Sequence, residues 1–141
     1  MTSLSCVHGS VWYSVARGEE TAPNLLTDDV SVRLTTSAYT PDPTANEAAA
    51  AITELSATGY SAGGQVYASP TVGITSGQWT FDAEDKTWTG LTATVEGRTI
   101  VDDTIDRVLQ CQVLGSFEVT AGTLDLQESA DGIIIVDYQA S

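Results

Sequence analysis

The sequence contains one histidine and two cysteines, and these residues are the first candidates for chemistry. His8 lies two residues after Cys6, close enough for a thiolate and an imidazole to share a metal ion. A structural zinc ion needs about four such ligands, and Cys111 is the only other one in the chain. A Cys111 nucleophile would need His8 beside it as a base, and nothing in the sequence brings the two together. We therefore predict no metal site, no catalytic residue and an ordinary surface or core role for His8.

The triplet Gly63-Gly64-Gln65 matches the catalytic tip of peptide-release factors, which act on an ester inside the ribosome. Binding among RNA phosphates depends on lysine and arginine, which neutralise phosphate charge. This chain has 19 acidic residues against five basic ones, and its net charge is -14. We therefore predict no nucleic-acid binding. We interpret the triplet as a backbone bend into a strand, because glycine tolerates positive φ angles.

Two acidic segments offer oxygen ligands of the kind that calcium prefers: residues 82–86, DAEDK, and residues 101–106, VDDTID. Neither has the full ligand spacing of a known calcium loop. Both are predicted to be solvated, charged turns, and no cofactor is expected.

The length and composition favour one folded domain over residues 1–141, with 42% hydrophobic residues to form its core. No apolar run approaches the roughly 20 residues that span a bilayer, and no secretory signal is evident at the start. The chain is therefore expected to be made in the cytoplasm and to have no membrane partner. In that reducing compartment, both cysteines are predicted to be free thiols.

Alternating apolar residues predict β-strands along most of the chain. In VSVRL, Val30, Val32 and Leu34 share one face, while Ser31 and Arg33 take the other. The run GIIIV lacks this alternation and predicts a strand covered on both faces. Strands are also predicted in the segments 5–20, 91–96, 117–119 and 123–127.

One short α-helix is predicted at about residues 44–56. Thr44 and Glu47 have the spacing of a capping box, and Gly59 follows as a break. A single apolar stripe would then contain Ala48, Ala51, Ile52 and Leu55. The predicted fold class is mainly β: a single β-sandwich-like domain with this one helix.

Exposed aromatic residues beside loops are the best candidates for contact with a partner. Trp79 and Trp88 adjoin alternating strands and are predicted to lie in the core. Tyr39 precedes a proline-rich loop, and Tyr60 lies between glycines. The predicted partner-binding residues are Tyr39, Pro41, Tyr60, Gly63 and Gly64.

Three blocks, taken in order, resemble a widespread family of small tailed-phage virion proteins encoded beside the major capsid protein. They are residues 25–42, LLTDDVSVRLTTSAYTPD, residues 56–67, SATGYSAGGQVY, and residues 81–97, FDAEDKTWTGLTATVEG. The resemblance implies a non-enzymatic decoration or cement protein on the outside of the phage head. Its implied partner is the major capsid protein, whose subunits it would bridge as a homo-oligomer on the virion surface.

Two other functions are compatible with an acidic, β-rich chain. A tail or head-tail connector subunit would assemble as a ring or tube. A carbohydrate-binding or receptor-binding module would use exposed tyrosine and tryptophan beside acidic residues. An enzyme is not expected, since the sequence contains no recognisable catalytic constellation.

Overall fold

The computed structural model describes residues 6–75, 77–128 and 132–137. These residues form a mainly β fold with one short α-helix, α1, at Gly9–Ala16, which confirms the predicted fold class. The strands are β1 (Cys6–Val7), β2 (Val30–Thr35), β3 (Gln65–Val66), β4 (Thr71–Thr75), β5 (Gln78–Asp82), β6 (Lys86–Asp102), β7 (Arg107–Leu126) and β8 (Ile134–Asp137).

The strands form two antiparallel sheets. The larger sheet has five strands in the order β1-β7-β6-β2-β3, and the smaller has three in the order β4-β5-β8. The long hairpin of β6 and β7 is the centre of the larger sheet. Its turn is fixed by Asp102, whose Oδ1 accepts hydrogen bonds from the backbone amides of Thr104 and Ile105.

Both sheets and α1 contribute to one apolar core, as a sandwich-like arrangement requires. Burying one aliphatic or aromatic side chain in this core stabilises the fold by roughly 1.5–3 kcal/mol. The alternation predicted for β2 is confirmed on its core face, although Ser31 on the opposite face is buried as well. The core includes Val32 and Leu34 from β2, Leu91, Val95 and Ile100 from β6, Phe81 from β5, Ile134 from β8 and Val11 from α1.

The predicted helix at residues 44–56 is wrong. Only one 3₁₀ turn forms there, at Ala49–Ala51. The capping box does not form, because Thr44 donates its hydroxyl hydrogen bond to Asp42 at 2.6 Å instead of capping a helix. Glu47 accepts from the Asp42 amide at 3.1 Å, so its carboxylate is turned toward the preceding loop.

The apolar residues of that segment are buried in extended structure instead. Ile52 and Leu55 are both buried, and the Leu55 amide donates to the Leu34 carbonyl of β2 at 2.9 Å. An isolated bridge pairs Thr35 with Glu54. The segment therefore lies along β2, where it gains backbone hydrogen bonds that a helix would have made internally.

The predicted strand at residues 5–20 is also wrong over most of its length, because α1 occupies Gly9–Ala16. Val11 and Ser14, three positions apart, form the buried face of this helix. Trp12 packs edge-to-face on Trp79 of β5 with ring centroids 5.5 Å apart. Gly18, with φ 75°, follows the helix in the left-handed conformation that commonly ends one.

The predicted free thiols are contradicted as well. Cys6 of β1 lies directly opposite Cys111 of β7, and Cys111 is disulfide-bonded. No free cysteine occurs among the described residues. Directly opposed residues of antiparallel strands have Cα atoms about 4.5–5.5 Å apart, a separation that suits a disulfide.

The remaining strand predictions agree with the structure. Residues 117–119 and 123–127 fall in or at the end of β7, and the GIIIV run leads into β8. Trp88 is buried in the core as predicted. Trp79 is partly buried and packs against the same core.

Candidate functional site

The triplet Gly63-Gly64-Gln65 forms a backbone bend that leads into β3, as the sequence predicts. Gly63 has φ 95° and Gly64 has φ 64°, both in the left-handed region. A Cβ atom at Gly64 would lie 1.9 Å from the Val32 carbonyl oxygen, so only glycine fits there. The Gln65 side chain donates to the Thr87 carbonyl at 2.8 Å, which uses its amide in a structural contact.

Glu54 holds this bend in place. Its carboxylate accepts hydrogen bonds from the Gly63 amide at 2.9 Å and the Tyr60 hydroxyl at 2.7 Å. It also forms an ion pair with Arg33 at 2.8 Å. Burial and the Glu54 carboxylate raise the pKa of Tyr60, so its phenol stays protonated and continues to donate. Tyr60 packs beside Trp88 and anchors the bend to the core.

A small polar cavity of about 240 Å³ lies next to the bend. Its lining includes Gly64 and Gln65 on one side and Thr87 and Trp88 of β6 on the other. The cavity is smaller than the roughly 300–1,000 Å³ typical of ligand pockets.

A larger groove of about 360 Å³ lies between the segment after β2 and the surface of β6 and β7. Small residues leave this space open. A Cβ atom at Gly97 would lie 2.7 Å from the Thr35 hydroxyl oxygen and 3.1 Å from the Gln112 carbonyl oxygen, so a larger residue there would force Thr35 to move. The residues that line the groove include Thr35, Tyr39, Pro41, Gly97, Thr99 and Val113.

The charged residues of the groove, Glu96 and Arg98, form hydrogen bonds or ion pairs within the chain. Glu96 accepts a hydrogen bond from the Ser37 amide at 2.6 Å. Arg98 donates to the Gln112 side chain at 2.6 Å and forms an ion pair with Glu128. Thr99 differs, since its buried hydroxyl has no hydrogen-bond partner among the described residues. The groove therefore presents mainly apolar surface.

Cys111 and Thr99 are two groove residues whose side chains could act as nucleophiles. Cys111 lines the groove but is disulfide-bonded, so it offers no thiolate. The Thr99 hydroxyl has no described base within hydrogen-bond distance.

Tyr39 is buried beneath the loop that borders the groove. Its hydroxyl donates to Glu47 at 3.0 Å, and His8 Nε2 lies 2.6 Å from the same carboxylate oxygen. Burial and Glu47 raise the pKa of Tyr39, so this hydrogen bond persists over the whole range in which the protein is expected to be folded. His8 is fully buried and has a structural position, in keeping with its predicted role.

The structure separates the five predicted partner-binding residues into two groups. Tyr39 and Pro41 line the groove, whereas Tyr60, Gly63 and Gly64 belong to the bend. Their contact with a partner stays a prediction. The floor of the groove, formed by Gly97, Thr99 and Val113, was not identified from the sequence. Its only signal in the sequence is Gly97, which directly follows the predicted strand at residues 91–96 and which sequence patterns alone do not connect to Tyr39.

The acidic segments do not assemble a metal site in the part of the chain that the structure describes. Asp85 accepts a hydrogen bond from the Glu128 amide at 2.8 Å, and Asp103 pairs with Arg33 at 2.6 Å. The predicted solvated turn is wrong for Asp102, which is fully buried. Asp102 is buried because its Oδ1 caps the β6–β7 turn from the inside.

Burial and a hydrogen bond with the Asp28 carboxyl raise the pKa of Asp102 to about 6. Because an unfolded aspartate has a pKa of about 3.9, the folded protein holds this proton more tightly than the unfolded chain does. The contribution of Asp102 to stability is therefore fully present below about pH 4 and is lost as the pH rises to about 6.

Asp102→Asn should consequently stabilise the protein at pH 7.5 by about 1–3 kcal/mol, because asparagine keeps the turn-capping oxygen without a buried charge. At pH 3.5 the variant and the wild type should have nearly the same free energy of unfolding, because Asp102 is then mainly protonated in both the folded and the unfolded states. Urea unfolding at both pH values measures the difference, with Asp29→Asn, an exposed neighbour of Asp28, as the control. An Asp102→Asn protein that is less stable than the wild type at pH 7.5 would contradict the raised pKa of Asp102.

No helix among the described residues is long and apolar enough to cross a membrane. No protein-family model matches the chain, and neither does any curated protein or any solved structure. The groove and the bend are thus the features from which a function can be proposed.

Proposed function

We propose that this chain is a non-enzymatic structural protein of a phage particle that decorates the outer surface of the head. It would bind the major capsid protein and bridge neighbouring capsid subunits, which stabilises the shell. The sequence resemblance over residues 25–97 suggests this role. The observation that carries the proposal is the groove beside Tyr39 and Pro41, which has mainly apolar walls.

The size of the groove fits one or two side chains of a partner protein. Its volume of about 360 Å³ is at the small end of the range for ligand pockets. The charge of Arg98 is paired with that of Glu128, so an anionic ligand would find no free counter-charge there. An apolar side chain on a capsid subunit would fill the space.

The charge of the chain supports the same proposal. A net charge of -14 keeps many copies soluble and repels them from DNA during assembly. Association with a basic patch on the capsid would be fast and sensitive to salt. Equivalent copies would then occupy symmetric positions as a homo-oligomer held by the shell.

The proposal is tested with particles that lack the chain. A protein that binds only the assembled shell stabilises that state by mass action. Such particles should assemble, yet they should rupture or lose DNA at a lower temperature than complete particles. Added purified protein should restore the resistance to heat, and the restoration should saturate.

A pair of variants tests the groove itself. Ser116→Trp places an indole at a residue that lines the groove, whereas Thr120→Trp places one at an exposed position of β7 outside it. Ser116→Trp should weaken binding to depleted particles at least about tenfold, and Thr120→Trp should bind as the wild type does. Equal binding by both variants would remove the groove from the proposal.

The same experiment separates the alternatives. Particles that resist heat normally but grow no tail would identify a tail or connector subunit. A carbohydrate-binding or receptor-binding module would leave both shell stability and tail assembly unchanged, and particles would fail only in attachment.

A further inference from the structure

We propose that β4 accepts an extended, basic segment of another protein as an added strand. This inference rests on the edge of the three-stranded sheet and does not depend on the groove or on the phage assignment. In that sheet, β4 is an outer strand and pairs only with β5. Its opposite edge has no paired strand among the described residues.

The outer edge of β4 carries backbone groups that can pair with a new strand. The Ile133 amide donates to the Phe81 carbonyl at 2.7 Å, so the backbone groups of Phe81 point toward β8. Val72 is opposite Phe81 in the β4–β5 register. In an antiparallel pair, backbone groups alternate between the two edges, so those of Val72 and of Ile74 point away from β5.

The side chains at this edge are apolar and exposed. Val72 is 45% exposed and Ile74 is 71% exposed. They lie opposite Phe81 and Trp79, both of which contribute to the core, so all four side chains are on the core face of the sheet. A further strand with apolar residues at alternate positions would extend the core over Val72 and Ile74.

The free edge of β7 has protection that β4 lacks. The β6–β7 pairing has register shifts, and β7 contains Gly115 with φ 88° and Ala121 with φ 45°. Exposed Glu118 adds charge to this edge. Bulges and charges are the usual devices that block strand addition. β4 has the uncharged sequence TVGIT and pairs with β5 without a register shift.

Charge indicates the kind of strand that binds. Every arginine of the chain is already in an ion pair with an acidic residue of the same chain: Arg17, Arg33, Arg98 and Arg107. Near the start of β4, Glu84 accepts a hydrogen bond from Ser69 at 2.9 Å, and neither Glu84 nor Asp82 belongs to an ion pair in the described structure. A second copy would bring the same excess of acid, so the occupant is a segment of a different protein with lysine or arginine beside its strand.

A synthetic peptide tests this inference. Its centre alternates valine and threonine over six residues, and two lysines flank each end. Calorimetry should show binding to the wild-type protein. Binding should weaken at least about tenfold for Ile74→Lys, because a lysine at the edge blocks strand addition and repels the flanking lysines. Phe117→Lys makes the same change of charge on β7, at a side chain that is 50% exposed, and should bind normally.

Two further peptides define the mode of binding. A version N-methylated at alternate residues should not bind, because strand addition uses backbone hydrogen bonds. A version flanked by glutamates should bind at least about tenfold more weakly than the lysine version. Failure of the lysine peptide to bind, or equal binding of the lysine and glutamate peptides, would overturn the proposal. A wild-type dimer in sedimentation that Ile74→Lys dissociates would overturn it too, since the occupant would then be a second copy.

Discussion

Gly64→Val should unfold the protein or destabilise it by at least about 3 kcal/mol. A β-branched residue at φ 64° is strained by about 1–3 kcal/mol. The larger cost is steric, because the new Cβ atom would lie 1.9 Å from the Val32 carbonyl oxygen in the middle of β2. Relief of this clash would separate β2 from β3. Urea unfolding followed by tryptophan fluorescence measures the loss.

Two variants at neighbouring positions are the controls for Gly64→Val. Gly63→Val places the same side chain at φ 95°, but its Cβ atom would meet no atom within 4 Å. It should therefore cost only the backbone strain. Gln65→Ala should cost about 1 kcal/mol or less, since it removes one exposed hydrogen bond to Thr87. A Gln65→Ala protein that stays folded but fails to bind its partner would show that the triplet has a functional role beyond its bend.

Arg98→Met should destabilise the protein by about 3–5 kcal/mol, the cost of leaving one charge of a buried ion pair without its partner. Glu128, the partner of Arg98, has a side chain that is 2% exposed. Tyr67 donates to the same carboxylate at 2.6 Å. Burial and Glu128 raise the pKa of Tyr67, so the phenol keeps this hydrogen bond but supplies no positive charge.

The double variant Arg98→Met/Glu128→Gln should recover part of that loss, because no buried charge is then unpaired. Thermal and urea unfolding of the two single variants and the double variant complete the cycle. Additive losses in the double variant, or a loss below about 1 kcal/mol for Arg98→Met, would mean that the ion pair is not buried in solution.

The strands were predictable because their signal is local. In β2, the alternation of Val30, Val32 and Leu34 is enough to choose the core face, and the bend at Gly63 and Gly64 follows from glycine's tolerance of positive φ. The helix at residues 44–56 was predicted by an equally local pattern. It fails because Glu47 is used by distant partners, His8 and Tyr39, which no local pattern includes.

The features that the sequence did not reveal all depend on strand register. Cys6 and Cys111 are far apart in sequence and become opposite each other only when β1 pairs with β7. The groove likewise exists only after Thr35 of β2 lies beside Gly97 of β6. Asp102 is buried because it lies at the end of β6. The acidic composition of its segment instead predicts an exposed turn.

A protein that bridges capsid subunits needs more than one contact surface. The groove and the β4 edge consist of different residues. If both proposals hold, one surface would receive a side chain of the capsid protein and the other an extended segment of a neighbouring subunit. Variants Ser116→Trp and Ile74→Lys would then weaken attachment independently, because they alter separate contacts.

The most direct test of the decoration role is a count of bound copies on depleted particles saturated with purified protein, obtained by imaging and quantitative mass spectrometry. We expect the protein on the outer face of the head, in a number that is a simple fraction of the capsid subunit count, because equivalent sites repeat with the symmetry of the shell. Copies confined to a single vertex, or an absence of saturable binding to the shell, would contradict the proposed function.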